Sequence, residues 1–146
     1  MLKGIPKILG PELLKTLMEM GHGDELLLCD GNYPRLGHPG RLIRCDGRGV
    51  PELLDAILRF MPLDTYVDYP VILMEVKAGD PYVPEIWGAY RQIIETHQPG
   101  TRDCAIDRFE FYKRGTAAYA ALATGEKALY ANIILKKGVV VEPVST

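Results

Sequence analysis

The sequence is poor in cysteine, in surplus charge of either sign and in long apolar runs. Its 146 residues hold three cysteines, Cys29, Cys45 and Cys104, odd in number, widely spaced and lying in or near apolar segments. That pattern argues against a disulfide framework or a zinc site and for buried reduced thiols. Seventeen basic side chains are interspersed with nineteen acidic ones, for a formal charge of −2. An even mixture argues against nucleic acid or an anionic membrane as the main partner. No stretch approaches the roughly 18 apolar residues of a membrane span, and the N-terminus lacks the apolar core of a signal peptide. A cytoplasmic protein is expected. The glycines form neither a phosphate loop nor a dinucleotide fingerprint, since Gly21-His22-Gly23 lacks the third glycine. No His-Glu-x-x-His or Gly-x-Ser-x-Gly pattern occurs either. What remains is proton-transfer chemistry without a cofactor, or binding alone.

A chain of 146 residues is most simply one domain, 1–146, able to bury roughly two-thirds of the surface its unfolded form exposes. Pro11 and Glu12 open a helix whose Leu13, Leu14, Leu17 and Met18 make one apolar stripe, stopped by Gly21. Leu26 to Cys29 and Arg41 to Cys45 read as strands flanking a Gly/Pro-rich loop. A second helix starts at Val50-Pro51-Glu52, with Leu53, Leu54, Ile57, Leu58 and Met61 on one face and Pro62 limiting it. A strand over Val71 to Val76, a long helix from Pro84 to about Gln98 and a shorter one from Phe109 to Ala118 follow. Strands near Tyr119 to Ala123 and Ile133 to Leu135 close the chain. This alternation favours a three-layer α/β/α single domain with a mixed, mostly parallel sheet. In such sheets ligands lie beyond strand ends, where His22, Asp30, Asp64 and Tyr130 all fall.

Two short polar signatures stand beside apolar runs. In the first, Met20 to Glu25, the His22 imidazole lies between two glycines, and the following strand ends at Asp30. A His and an Asp at opposite ends of one short strand can face one cleft, although a capping or solvated turn histidine explains His22 too. Asp30-Gly31 is equally a hydroxyl acceptor or a turn former, whereas for Asp64 the residues alone favour a helix or turn cap over a site residue. In the second, Tyr130, Ala131 and Asn132 precede the last strand, and alternation in an extended segment puts Tyr130 and Asn132 on one side. Arg108 and Tyr112, four apart, share a helix face, as a surface cation–aromatic pair also would. Met74, Tyr82 and Trp87 are pocket candidates that core packing explains as well. His38 and His97 read as surface histidines.

Taken together, Lys3-Gly4-Ile5-Pro6, Pro11-Glu12-Leu13-Leu14, Met20-Gly21-His22-Gly23-Asp24-Glu25, Asp46-Gly47, Pro62-Leu63-Asp64-Thr65-Tyr66, Arg108-Phe109-Glu110-Phe111-Tyr112, Ala123-Thr124-Gly125-Glu126 and Tyr130 to Gly138 resemble the ribose pyranase and fucose mutarotase family. The segments around Tyr112 and Tyr130 are more similar to the fucose branch. The resemblance implies exchange of the α and β anomers of L-fucose without a cofactor or metal. It implies a proton-donating His22, with Asp64 and Tyr112 also catalytic. Sugar contacts would come from Asp30, Met74, Arg108, Tyr130, Ala131 and Asn132. It further implies a homo-oligomer, a ring-shaped decamer with sites near subunit contacts. Two departures from the family pattern are Ala131, where glycine is usual, and the loop Asn32 to Pro39.

Overall fold

The computed structural model describes residues 1–145. In chain order the helices are α1 (Pro11–Glu19), α2 (Val50–Leu58), α3 (Ile86–His97) and α4 (Arg108–Thr116). The strands are β1 (Glu25–Cys29), β2 (Leu42–Cys45), β3 (Val71–Met74), β4 (Asp103–Ile106), β5 (Ala120–Thr124) and β6 (Ile133–Lys136). They form one sheet in the order β2-β5-β1-β6-β3-β4. The pairs β2/β5, β5/β1 and β3/β4 are parallel, whereas β6 runs antiparallel to both β1 and β3. The reason lies in the connection 125–132, which is too short for the crossover of a dozen or more residues that a parallel return needs. β6 therefore starts where β1 and β3 end.

Burial on both faces makes the central strands read as continuous apolar runs. Alternate residues serve opposite layers. Leu26, Leu28, Leu73, Leu122, Ile133 and Leu135 pack with α1, α2 and α3, while Leu27, Ile72, Met74, Ala121 and Ile134 pack with Phe111 of α4 and with Tyr33. Each fully buried leucine contributes roughly 1.5–3 kcal/mol relative to exposure. The expected three-layer fold with its mixed, mostly parallel sheet is the one formed. Three local differences stand out. α2 stops at Leu58, and Met61 reaches the core from beyond the helix. β3 stops at Met74, where Glu75 turns its N–H to Ile106. The polar edge strand β4 was not anticipated, because Asp103-Cys104-Ala105-Ile106 is held by pairing with β3 and by the Arg91–Asp103 ion pair rather than by an apolar pattern of its own.

Candidate active site

The C-terminal ends of β3 and β4 and the segment entering β6 surround a cleft of about 510 Å³. Its walls include Met74 at the end of β3, Arg108 and Tyr112 on α4, Tyr130 and Asn132 before β6, and Asp80 from the segment between β3 and α3. The Asp107 carboxylate starts α4 by accepting from the Phe109 and Glu110 amides, at 2.9 and 3.4 Å. From that start Arg108 and Tyr112 fall on one face, as their spacing predicted. Tyr33 then backs Tyr112, ring centroids 5.5 Å apart, and is itself pinned by donating to the Gly37 carbonyl at 3.0 Å. The loop 32–39, which departed from the family pattern, is thus the support behind Tyr112. His38, expected at the surface, is half-buried there, with Nδ1 3.8 Å from the Cys29 sulfur.

Asp30 lies at the end of β1 and is 8% exposed. Its amide donates to Asn132 Oδ1 at 2.8 Å, and its carboxylate accepts from the Asn32 amide at 2.9 Å. Burial pushes the Asp30 carboxyl up, and the Asn32, Ala131 and Asn132 bonds only partly offset it, while nearby Glu126 adds to the rise. Ala131 is fully buried, and its carbonyl accepts from the Tyr90 hydroxyl at 2.6 Å. Ala131 is therefore not exposed to the cleft, whose lining passes from Tyr130 to Asn132. Tyr130 and Asn132 do share the cleft, but not through extended alternation: Tyr130 adopts a left-handed φ of 55°.

His22 and Asp64 stand elsewhere. His22 lies before the first residue of β1, and Asp30 follows the last, so the whole strand separates them, about 13 Å or more. The Asp64 amide bonds the Lys136 carbonyl at 3.0 Å, which fixes it at the far end of β6 from Tyr130 and Asn132. There His22 Nε2 and Asp64 Oδ1 are 3.0 Å apart, with the Tyr66 ring 5.2 Å from the imidazole. Asp64 is buried, whereas the His22 side chain is 46% exposed. Burial pushes the Asp64 carboxyl up, yet the Tyr66 amide, His22 and Lys136 outweigh it and hold it below the usual carboxylate range. Asp64 accepts the Tyr66 amide at 3.0 Å as well, so it is a turn former and an imidazole partner at once. Asp24, the acid nearest His22 in sequence, instead accepts from Gly21 at 2.7 Å. One chain therefore carries two separate clusters, and the expectation that His22 and Asp30 face one cleft within it is not met.

A concave site whose polar side chains are three carboxylates, an ammonium, a guanidinium, two phenols and an amide, beside the thioether of Met74, marks an α/β protein suited to binding a small polyhydroxy ligand. The RbsD / FucU transport protein family matches residues 3–140, and the chain belongs to that family. It is similar to the fucose mutarotase of Mus musculus, 47% identical over 143 residues and 94% of each chain. It is also similar to the L-fucose mutarotase of Haemophilus influenzae (strain 86-028NP), 45% identical over 140 residues, 95% of this chain and 97% of that one. Among solved structures, the fucose mutarotase from Streptococcus pneumoniae in complex with L-fucose superposes with a TM-score of 0.90 at 59% identity, covering 96% of this chain and all of that one.

Proposed function

We propose that this chain, acting as one catalytic domain, interconverts the α and β anomers of L-fucopyranose. The observation that carries the reading is the 59% identity, over 96% of the chain, to a fucose mutarotase crystallised with L-fucose. The cleft residues suit the task. Asp30, next to the wall residue Asn132, accepts from ligand hydroxyls, Arg108 and the Asn132 side-chain NH2 donate, and Met74 offers an apolar wall to the C5 methyl.

The chemistry is a pair of proton transfers. As the bond between C1 and the ring oxygen breaks, a proton reaches that oxygen and another leaves the anomeric hydroxyl, giving the open-chain aldehyde. Rotation about the C1–C2 bond and reclosure on the other carbonyl face give the opposite anomer. His22 donates in this scheme. With Nε2 held by Asp64, Nδ1 is left to exchange the proton with the sugar. Tyr112, on the cleft wall, accepts on the other side, directly or through a water.

The separation of the two clusters supports a site shared between copies. A second copy must bring its His22 and Asp64 over the cleft of the first, so the functional unit is a homo-oligomer, and a ring such as a decamer provides one such junction per subunit. Large exposed apolar side chains at both clusters support this reading: Phe109 and Leu129 line the cleft, and the Tyr66 ring lies against His22. Saturation-transfer NMR of anomer exchange provides the test. The protein should accelerate exchange of L-fucose above the buffer blank and above D-ribose, and a rate equal to the blank sinks the enzyme reading. His22→Ala and Arg108→Ala should each lose exchange, by about 10²-fold for the proton donor. Unfolded together and co-refolded, the two variants should recover about a quarter of normal activity, because random assembly leaves that share of junctions with both halves intact. No recovery from properly assembled mixtures would place the whole site within one chain.

A further inference from the structure

Tyr130 is the sole non-glycine residue with positive φ among the described residues, and bonds from outside the segment surround it. The Trp87 indole donates to its carbonyl at 2.8 Å, and the Tyr82 ring stacks on its own ring at 5.9 Å between centroids. Its hydroxyl donates to Asp80 Oδ2 at 2.7 Å and accepts from the Lys77 amide at 3.3 Å. Asp80 is oriented in turn, since its other oxygen accepts from the Tyr82 amide at 2.9 Å and closes a turn over Pro81. A left-handed tyrosine costs on the order of 1–3 kcal/mol, so the surrounding structure must hold it there.

We propose that Asp80 is a positioning residue for ligand recognition: it takes the one phenol proton of Tyr130, so that Tyr130 meets the sugar as a hydrogen-bond acceptor only. A hydroxyl has a single proton to give. With that proton committed to a carboxylate in a charge-assisted bond, only a ligand hydroxyl that donates can pair with the phenol oxygen. Asp80 thereby selects an axial or equatorial hydroxyl whose hydrogen points at Tyr130, and it acts without touching the reacting atoms. The same bond disfavours the phenolate and pushes the Tyr130 phenol up, against smaller opposing effects of the Lys77 amide and the Arg108 charge. The inference rests on the sugar-binding reading above.

Asp80→Asn separates polarity from scaffolding. Asparagine keeps the turn to the Tyr82 amide through its one oxygen, which leaves the side-chain NH2 facing the phenol. The phenol then accepts from asparagine and turns its proton toward the cleft. L-Fucose affinity, read as KM in the anomer-exchange assay, should weaken about tenfold in Asp80→Asn while kcat holds, the loss expected for one neutral hydrogen bond turned the wrong way. Tyr130→Phe should weaken it similarly, and the double variant no more than Tyr130→Phe alone. Tyrosine-selective 13C NMR supplies a readout that needs no sugar: the Tyr130 ring resonance should titrate at lower pH in Asp80→Asn than in the parent protein. Unchanged Tyr130 titration, unchanged KM, or losses that add in the double variant would each overturn the proposal, the last by showing that Asp80 meets the sugar directly. Absence of any fucose turnover by the parent protein would fell the function instead, and the tyrosine titration would still decide whether Asp80 controls the phenol.

Discussion

At Asp30 the fold holds a carboxylate where ionisation is costly. Burial raises its titration, and the amides of Asn32 and Ala131 only partly oppose that, while Glu126 adds to it. A carboxyl whose folded pKa lies above its unfolded value favours the protonated fold. The penalty is absent below the unfolded pKa of about 3.9 and complete once pH exceeds the raised folded value. Asp30→Asn removes the charge while keeping an acceptor for the Asn32 amide. Its stability advantage over the parent should therefore be small near pH 3 and grow toward neutrality, with sugar affinity lost throughout. Urea melts at several pH values check this, and an advantage independent of pH contradicts it. Retention of such a residue at a cost to stability fits the sugar contact proposed for it. Asp64 runs the other way: net depression of its titration means that its ionised form supports the fold at neutral pH and ceases to do so in acid.

Among the elements, the end of β6 organises the His22 half of the site. The Lys137 ammonium donates to the carbonyls of Leu17 and Met20, closing the C-terminus of α1, where no basic side chain of the helix itself does so. The Lys137 backbone accepts from Gly23 at 2.8 Å and donates to Asp24 at 2.9 Å. Gly23 takes φ +86°, which any other residue would enter only under strain. Next along, a Cβ on Gly138 would stand 2.6 Å from the Leu63 carbonyl oxygen, so only glycine lets β6 pass beside the segment that carries Asp64. Lys137→Met should cost roughly 1–3 kcal/mol of unfolding free energy and speed hydrogen exchange at Gly23. Equal denaturation midpoints for variant and parent would show the ammonium to be dispensable. Of the two glycines that flank His22, Gly23 serves backbone conformation, and a Cβ on Gly21 would meet nothing closer than 3.6 Å.

For the whole molecule, the sheet places the His22–Asp64 pair and the cleft at opposite strand ends, and the shared site proposed from that geometry would tie activity to assembly. Specific activity should fall as the protein is diluted through its dissociation range, and sedimentation should show smaller species appearing over the same range. Constant specific activity in a demonstrably monomeric sample would contradict a site shared between copies. The N-terminal segment forms a larger hollow of about 910 Å³ with Leu2, Ile5, Leu9 and Leu14 among its walls, but its only ionisable side chains are lysines, so it lacks the mixed donors and acceptors of the cleft.

Most of the elements were legible because their signals are local: a proline opening a helix, a 3.6-residue apolar stripe, an unbroken apolar strand. Arg108 and Tyr112 were legible as neighbours for the same reason, since four residues on a helix are adjacent wherever the helix lies. β4 was not, because an edge strand of mixed polarity is specified by its partner β3. The pairing of His22 with Asp64, 42 positions apart, and the bond from Tyr130 to Asp80, 50 apart, depend on how distant segments meet across the sheet, which no local pattern encodes. Sequence alone therefore determined the layers, the candidate residues and the family. Only the tertiary structure decided which candidates share a cleft, because the reversed direction of β6 sends Tyr130 and Asn132 to one end of the sheet and Lys137, with Asp64 and His22, to the other.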